Sequence, residues 1–219
     1  MNPLERILEK QKVLIIDGAF GTELERKGYD INDSLWSAKF LMEKPEAIAA
    51  VHLDYLNAGS DCITTASYQA SFEGFMKRGM SEQEAKALIQ SSITIAQSVR
   101  DTFWENEQNH LKRHKPLVAA SVGPYGAYLA DGSEFRGNYG LNAEALIDEI
   151  KAVSTKPIIV YPNGGSTYNA LTKTWDGLSK SSSHGKMAYA WYQKGARIIG
   201  GCCQTTPEDI AQIAQWVRA

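Results

Sequence analysis

Cysteine is scarce in this sequence: 3 of its 219 residues are cysteine, and two of those are adjacent. An odd, sparse set of cysteines cannot build the disulfide framework that is typical of small secreted domains, and metal or catalytic use is favoured instead. The sequence also lacks a large excess of charge of either sign, since the formal net charge is -2 and no basic stripe or polybasic patch is present. Nucleic acid and membrane surfaces are therefore excluded as partners, and small molecules are favoured.

Long hydrophobic runs are absent as well. No apolar stretch approaches membrane-spanning length, and charges interrupt the N-terminal segment MNPLERILEKQKVLIID where a signal peptide needs an apolar core. The sequence also lacks a G-x-S-x-G motif, a phosphate loop and a G-x-G-x-x-G motif. These absences predict a cytoplasmic protein that is neither a serine hydrolase of the nucleophile-elbow type nor a dinucleotide-binding enzyme.

Short apolar runs alternate with helical patterns along the chain, which is typical of βα units around a parallel sheet. The five predicted strands lie at residues 13–16, 61–68, 116–122, 158–161 and 196–199. Helices are predicted near residues 22–27, 45–58, 81–106, 143–153, 186–194 and 207–217.

Polar and glycine-rich segments follow the predicted strands rather than precede them. In βα proteins the functional site lies at the carboxyl ends of the strands, so these segments are expected to converge on one mouth. The converging positions are Asp17, Thr64, Thr65, residues 123–126, Asn163, Cys202 and Cys203.

The two adjacent cysteines, Cys202 and Cys203, stand between Gly200-Gly201 and a strong helix start, Thr206-Pro207-Glu208-Asp209. The partial positive charge of a helix N-terminus favours thiolate over thiol, and a thiolate pair suits zinc. The glycines let the backbone turn so that both side chains can face one ion. Spacing alone leaves a second interpretation open, in which two small residues fill a crowded strand end.

Several long segments resemble the homocysteine S-methyltransferase family, and in particular its branch that uses S-methylmethionine as the methyl donor. They are DGAFGTELERKG, DSLWSAKFL, AGSDCITTASYQAS, SVGPYGAYLADGSEFRGNYG and GGCCQTTPEDI, in that order. The resemblance implies an α/β fold of the (β/α)8 TIM-barrel type, a catalytic Zn2+ held by three cysteines, and methyl transfer to homocysteine that gives methionine.

The resemblance also implies roles for individual residues. Cys202 and Cys203 match two of the three zinc ligands. Asp17 matches a carboxylate that binds the homocysteine ammonium group, with Gly18 and Thr65 supplying polar contacts. A structural carboxylate that caps the next helix is the alternative for Asp17. Aromatic side chains attract sulfonium ions, and the candidates for the donor site are Trp36, Tyr125, Tyr128 and Tyr139.

This sequence departs from the family pattern at the third zinc ligand. The G-x-N-C motif that carries it is absent, as is the acidic segment at the end of the fourth barrel strand. Cys62 lies at the start of the second predicted strand, where the family places no ligand, and is interpreted as a small buried residue.

A single missing internal segment of the chain explains why both the G-x-N-C motif and the acidic segment are absent. An eight-stranded barrel takes about 250 residues, whereas five strands are recognisable here. About three βα units are missing near residues 138–146 of a single domain that spans residues 1–219, either through an internal deletion or because the sequence as read omits them. We therefore expect an incomplete, barrel-derived fold. Two functions follow as hypotheses: a zinc-dependent homocysteine methyltransferase, or a non-catalytic remnant that binds homocysteine or metal.

Overall fold

The computed structural model describes residues 2–111, 113–123, 143–164, 166–169, 174–177 and 184–219. Nine helices lie in these ranges: α1 (Pro3–Leu8), α2 (Phe20–Arg26), α3 (Phe40–Glu43), α4 (Pro45–Ala58), α5 (Phe72–Met76), α6 (Glu82–Glu105), α7 (Ala143–Val153), α8 (His184–Lys194) and α9 (Pro207–Val217). The strands are β1 (Leu14–Ile15), β2 (Cys62–Thr64), β3 (Leu117–Ala119), β4 (Ile158–Val160), β5 (Thr167–Asn169), β6 (Thr174–Asp176) and β7 (Ala196–Ile199). Short 3-10 helices at Trp36–Lys39 and Glu107–His110 complete these elements.

All five predicted strands are present, and they pair in parallel. β7 lies between β1 and β4, and β2 pairs with β3. An isolated parallel bridge between Ile16 and Cys62 joins the two groups. The resulting order is β4-β7-β1-β2-β3, and within the described ranges no pairing connects β3 to β4. The predicted α/β class with a parallel sheet is confirmed, and the described strands leave this sheet open.

The antiparallel pair β5-β6 was not predicted. Tyr168 pairs with Trp175 at its centre. Across the described part of the chain, none of the helices combines the length and the apolar character needed to cross a membrane.

Side-chain caps and a glycine mark several helix ends. Ser81 and Glu84 form a capping box at the start of α6, and the Asp209 carboxylate accepts hydrogen bonds from the backbone and hydroxyl of Thr206 ahead of α9. The sequence did not predict α1, α3 and α5. Gly59 ends α4 at a φ of 112°, the left-handed conformation that glycine adopts without strain. These caps fix where α6 and α9 begin and where α4 ends.

The main core lies between the strands and the helices that cover them, with Ile15, Ile63 and Ile199 on the strand side. His52 on α4 is fully buried there, next to the Phe20 ring at 5.2 Å. Neither of its ring nitrogens has a hydrogen-bond partner among the described residues. Burial lowers the pKa of His52 to about 4, so the ring is neutral at physiological pH.

Candidate active site

The carboxyl ends of β1, β2 and β7 meet around Asp17, which is 3% exposed. The Thr64 backbone N–H donates to its Oδ2 at 2.7 Å, and the Thr64 hydroxyl lies 3.1 Å from both carboxylate oxygens. The Gly201 N–H donates to the Asp17 carbonyl at 3.1 Å. The turn that carries the cysteine pair therefore rests directly on the residue that follows the first strand.

Asp17 has no cationic partner among the ion pairs of the described residues. The pKa of Asp17 is raised to about 7: burial is the largest cause, the Thr64 hydrogen bonds oppose it, and the nearby Cys202 adds a small increase. Hydrogen bonds therefore orient the Asp17 carboxylate, but the positive charge that normally accompanies a buried anion is not among its described contacts. An ammonium group brought by a ligand would supply that charge.

The cysteine turn, residues 200–205, is clamped on both sides. The Cys202 N–H donates to the Pro162 carbonyl at 2.9 Å, and the Gly164 N–H donates to the Cys203 carbonyl at 2.7 Å. Inside the turn, Thr205 donates its N–H and its hydroxyl to the Cys202 carbonyl, at 3.0 and 2.5 Å. The loop after β4 and the start of α9 therefore hold both cysteines in place.

The two cysteine sulfurs, Cys202 Sγ and Cys203 Sγ, lie 3.9 Å apart. Two thiolates bound to one tetrahedral zinc at about 2.3 Å each are separated by about 3.8 Å, so the pair fits two positions of a zinc site. The hydrogen bond from Cys203 is the largest cause that lowers the pKa of Cys202 to about 7. A substantial thiolate fraction therefore exists near neutral pH, which is the form that binds metal.

Glycine precedes the cysteines because the backbone is crowded there. A Cβ on Gly200 would come 2.8 Å from the Asp17 carbonyl oxygen, and one on Gly201 would collide with the Thr205 side chain. The left-handed conformation in this turn falls instead on Gln204, with a φ of 67°. The sequence prediction of a tight turn is right, but the glycines serve close packing.

A third protein ligand is not found in the part of the chain that the structure describes, where no three His, Cys, Asp or Glu side chains could hold one metal ion. Cys62 is buried at the start of β2 with Ile7, Leu14 and Ile198, as its interpretation as a small core residue predicted. Burial raises the pKa of the Cys62 thiol to about 12, so it remains protonated.

The other two residues predicted to bind substrate, Gly18 and Thr65, differ in how closely they approach Asp17 and the cysteine turn. Gly18 lies within the site, where an added Cβ would come 2.9 Å from Thr205 Oγ1 and 3.0 Å from the Tyr55 ring. The Thr65 hydroxyl bonds to Ser67 Oγ and accepts from the Ser121 N–H, at 2.7 and 2.9 Å. Thr64, rather than Thr65, therefore contacts Asp17 in this structure.

Among the aromatic candidates for a sulfonium site, Trp36 packs against the core and its indole Nε1 lies beside Gly21. Tyr125, Tyr128 and Tyr139 lie outside the described residues, as do residues 124–126 of the predicted mouth.

Two residues of the site were not predicted from the sequence. His184 is 2% exposed, and its Nε2 lies 3.2 Å from the Gly200 carbonyl, behind the cysteine turn. The Tyr55 hydroxyl donates to the carbonyls of Ala19 and Thr205, at 3.0 and 3.2 Å. Tyr55 thereby links α4 to both loops of the site, and its place on the apolar face of α4 gave no sign of that role.

Replacing Tyr55 with phenylalanine is expected to lower the free energy of unfolding by about 1 kcal/mol, because the buried hydrogen bond that the hydroxyl shares between two carbonyls is lost. Both carbonyls keep a backbone N–H donor. Urea denaturation of Y55F measures the loss. Tyr189→Phe, at a side chain that is 48% exposed, serves as the control and should change stability by less than about 0.5 kcal/mol. Equal stability of the two variants would show that the Tyr55 hydroxyl does not hold the site together.

Comparisons with known proteins identify the family. The family model described as homocysteine S-methyltransferase matches residues 14–148 and 141–217. A homocysteine S-methyltransferase of Bacillus subtilis is 40% identical over 311 aligned positions, covering 100% of this chain and 99% of the relative. One of Escherichia coli is 36% identical and covers 97% of each chain. A selenocysteine methyltransferase of Astragalus bisulcatus is 33% identical over 92% of this chain and 91% of its own.

Solved structures agree with the sequence relatives. The oxidised form of the Escherichia coli homocysteine methyltransferase MmuM superimposes with a TM-score of 0.77 at 32% identity, covering 99% of this chain and 100% of that one. Its metallated form gives a TM-score of 0.68 at 33% identity, with 98% and 100% coverage. With a family model matching most of its length and full-length relatives well above 30% identity, this chain belongs to the homocysteine S-methyltransferase family.

Proposed function

We propose that this protein transfers a methyl group from S-methylmethionine to homocysteine, giving methionine, with Zn2+ bound by Cys202 and Cys203. The observation that carries the proposal is the juxtaposition of two sulfurs 3.9 Å apart with a buried carboxylate that lacks a cation. A metal-binding pair beside an ammonium-binding group suits an amino acid that carries a thiol. The names of the relatives, homocysteine and selenocysteine methyltransferases, support the same substrate class.

Each residue has a defined task in this proposal. Cys202 and Cys203 hold the metal, which supplies, when bound, a Lewis acid that lowers the pKa of the homocysteine thiol. Asp17, oriented by Thr64, binds the homocysteine ammonium group. The thiolate sulfur then attacks the donor methyl carbon, the carbon–sulfur bond to the donor breaks, and the donor leaves as a neutral thioether. Positive and negative charge cancel in this step, so a dry site favours it.

The same structure supports a single domain, residues 1–219, that derives from an eight-stranded barrel and is shortened near residues 138–146. Residues 138–142 lie outside the described ranges. The alignment with the Bacillus subtilis relative spans 311 positions and the chain has 219 residues, so at least 92 positions have no counterpart here. At about 30 residues per βα unit of a barrel, that is about three units. The two segments matched by the family model meet at the same place, since both include residues 141–148.

The free edges of the sheet fit this account. Val122, just beyond β3, is 86% exposed, and Ile159 on β4 and Tyr161 after it are 49% and 56% exposed. Apolar side chains next to a parallel strand are normally covered, because parallel sheets are buried on both faces. Three further strands between β3 and β4 would cover them.

The test of the proposed function combines purified protein, zinc, homocysteine and S-methylmethionine, and measures methionine by mass spectrometry. A matched version carries the absent segment of a full-length relative between residues 140 and 143. Methionine from both proteins supports the proposal for this chain. Methionine from the restored version alone assigns this chain to the second candidate, a non-catalytic remnant, which the lack of a third ligand among the described residues favours. An intact mass well above 24.1 kDa would show that the natural chain contains the segment.

A further inference from the structure

A cavity of about 440 Å³ borders the amino ends of β1 and β3, away from the cysteine turn. That volume is within the range of sites for small organic molecules. Its lining is strongly basic and comes from three separate parts of the chain: the connection before β1, the segment before β3, and the end of the chain after α9. The basic side chains are Lys10, Lys12, His110, Arg113, His114 and Arg218.

Two guanidinium groups lie at the inner side of this cavity. Arg113 donates from Nη1 to the Leu56 carbonyl and from Nη2 to the Ser60 carbonyl, at 2.9 and 2.6 Å. Arg218 donates to Asp61 Oδ1 at 2.9 Å. Burial, and to a smaller extent the positive charge of Arg218, lower the pKa of Arg113 to about 10. Two like charges are thus held close together, which an anion between them would relieve.

One carboxylate, that of Asp61, offsets part of this charge, since it pairs with Arg218 and raises the pKa of Arg113. Asp61 is 1% exposed, and its Oδ2 already accepts from Gln11 Nε2 and the Ile15 N–H, at 2.7 and 3.0 Å. The single negative charge of Asp61 faces two lysines and two arginines of the lining, and the two histidines count as neutral at pH 7. The buried Nε of Arg113 has no hydrogen-bond partner in the described part of the chain.

The outer wall of the cavity is held in position. Arg197 donates to the carbonyls of Lys12 and Leu8, both at 2.8 Å, and so fixes the connection that carries Lys10. Across the cavity, the His110 ring stacks on Trp104 with centroids 4.1 Å apart. Neither Lys10 nor Lys12 forms an ion pair with another described residue. Both ammonium groups are therefore available to a ligand.

We propose that this cavity binds a small anion of the phosphate class, either free phosphate or the phosphate group of an organic ester. Phosphate presents several oxygens and two negative charges, which match a cluster of guanidinium and ammonium donors better than a monoanion does. The cavity is larger than inorganic phosphate requires, so an ester has room for its organic part. The site is separate from the cysteine turn and does not depend on methyl transfer.

Titration of inorganic phosphate and of glycerol 3-phosphate tests the proposal, with binding measured by calorimetry at constant ionic strength. Saturable binding is expected for the unmodified protein, and the tighter of the two ligands identifies the source of the phosphate group. The Lys10→Gln, Lys12→Gln double variant should raise the dissociation constant about tenfold, since each charge contact contributes modestly at an exposed position. Cys203→Ser should bind phosphate unchanged.

A matched control removes the same charge elsewhere. The Lys86→Gln, Lys186→Gln double variant changes two exposed lysines on α6 and α8 and should leave the dissociation constant within twofold. Amide chemical shifts should move at Gln11, His110 and Arg218 when phosphate is added. Absence of saturable binding, equal weakening in both double variants, or shifts confined to the cysteine turn would each overturn the proposal.

Discussion

Replacing Cys203 with serine is expected to weaken zinc binding by at least about 100-fold and to abolish methyl transfer by any version of the protein that shows it. A serine hydroxyl does not ionise near neutral pH, so the site loses one of two anionic ligands. A serine hydroxyl can still donate a hydrogen bond to Cys202 Sγ, so the expected loss arises from the missing anionic ligand and not from a change in the pKa of Cys202.

Competition with a chromophoric zinc chelator measures the affinity of the reduced protein. Cys62→Ala is the matched control, because it also removes a thiol but at a buried position among Ile7, Leu14 and Ile198. That variant should lose stability, as cavity-forming substitutions do, while its zinc affinity stays within threefold of the unmodified protein. Undiminished zinc binding by Cys203→Ser, or equal losses in the two variants, would contradict the role assigned to the cysteine pair.

The elements that sequence predicted best are those with physical end signals. The bounds of α4 and α9 were predicted to the residue, because Pro45 and Pro207 favour the first turn of a helix and Gly59 favours its end. The strand predicted at residues 61–68 is shorter, ending at Thr64. An apolar run shows that a segment is buried, but it does not show where strand pairing stops.

The residues of the candidate site also fall into two groups, those that a local sequence pattern predicted and those that it did not. Asp17 and the cysteine pair were predicted because each follows a strand, and the carboxyl ends of parallel strands lie at one edge of the sheet. Tyr55 was not, since its hydroxyl contacts residues 36 and 150 positions away along the chain. Such contacts depend on how α4 packs, which no local pattern encodes. The left-handed conformation of Gln204 was not predicted either, because Gly200 and Gly201, which adopt it more readily, are instead packed against Asp17 and Thr205.

Substituting Asp17 with asparagine is expected to lower the affinity for homocysteine by about 10- to 100-fold, because the ammonium group loses a charge-assisted partner in a buried position. The same substitution should stabilise the metal-free protein at neutral pH. Asparagine has no charge to bury, its oxygen can accept from the Thr64 N–H as Asp17 does, and its NH2 group can donate to the Thr64 hydroxyl. Binding and stability are therefore expected to change in opposite directions.

The stability effect depends on pH with a defined sign. Burial raises the pKa of Asp17 from 3.8 to about 7, so the folded state binds more protons than the unfolded state between those values. The free energy of unfolding of the unmodified protein therefore falls as pH rises through this window, by up to about 4 kcal/mol relative to Asp17→Asn, and the difference levels off above pH 8. Denaturation of both proteins at pH 5 and pH 8 measures it.

Asp148→Asn provides the control for both measurements. Its carboxylate is exposed and pairs with Lys194 on the outer surface, so neither the affinity for homocysteine nor the pH dependence of stability should change appreciably. If Asp17→Asn bound homocysteine as tightly as this control, Asp17 would be a structural carboxylate, the alternative that the sequence left open. A gain in stability accompanied by loss of homocysteine binding would instead identify Asp17 as a group that is costly to the folded protein and is kept for its ligand.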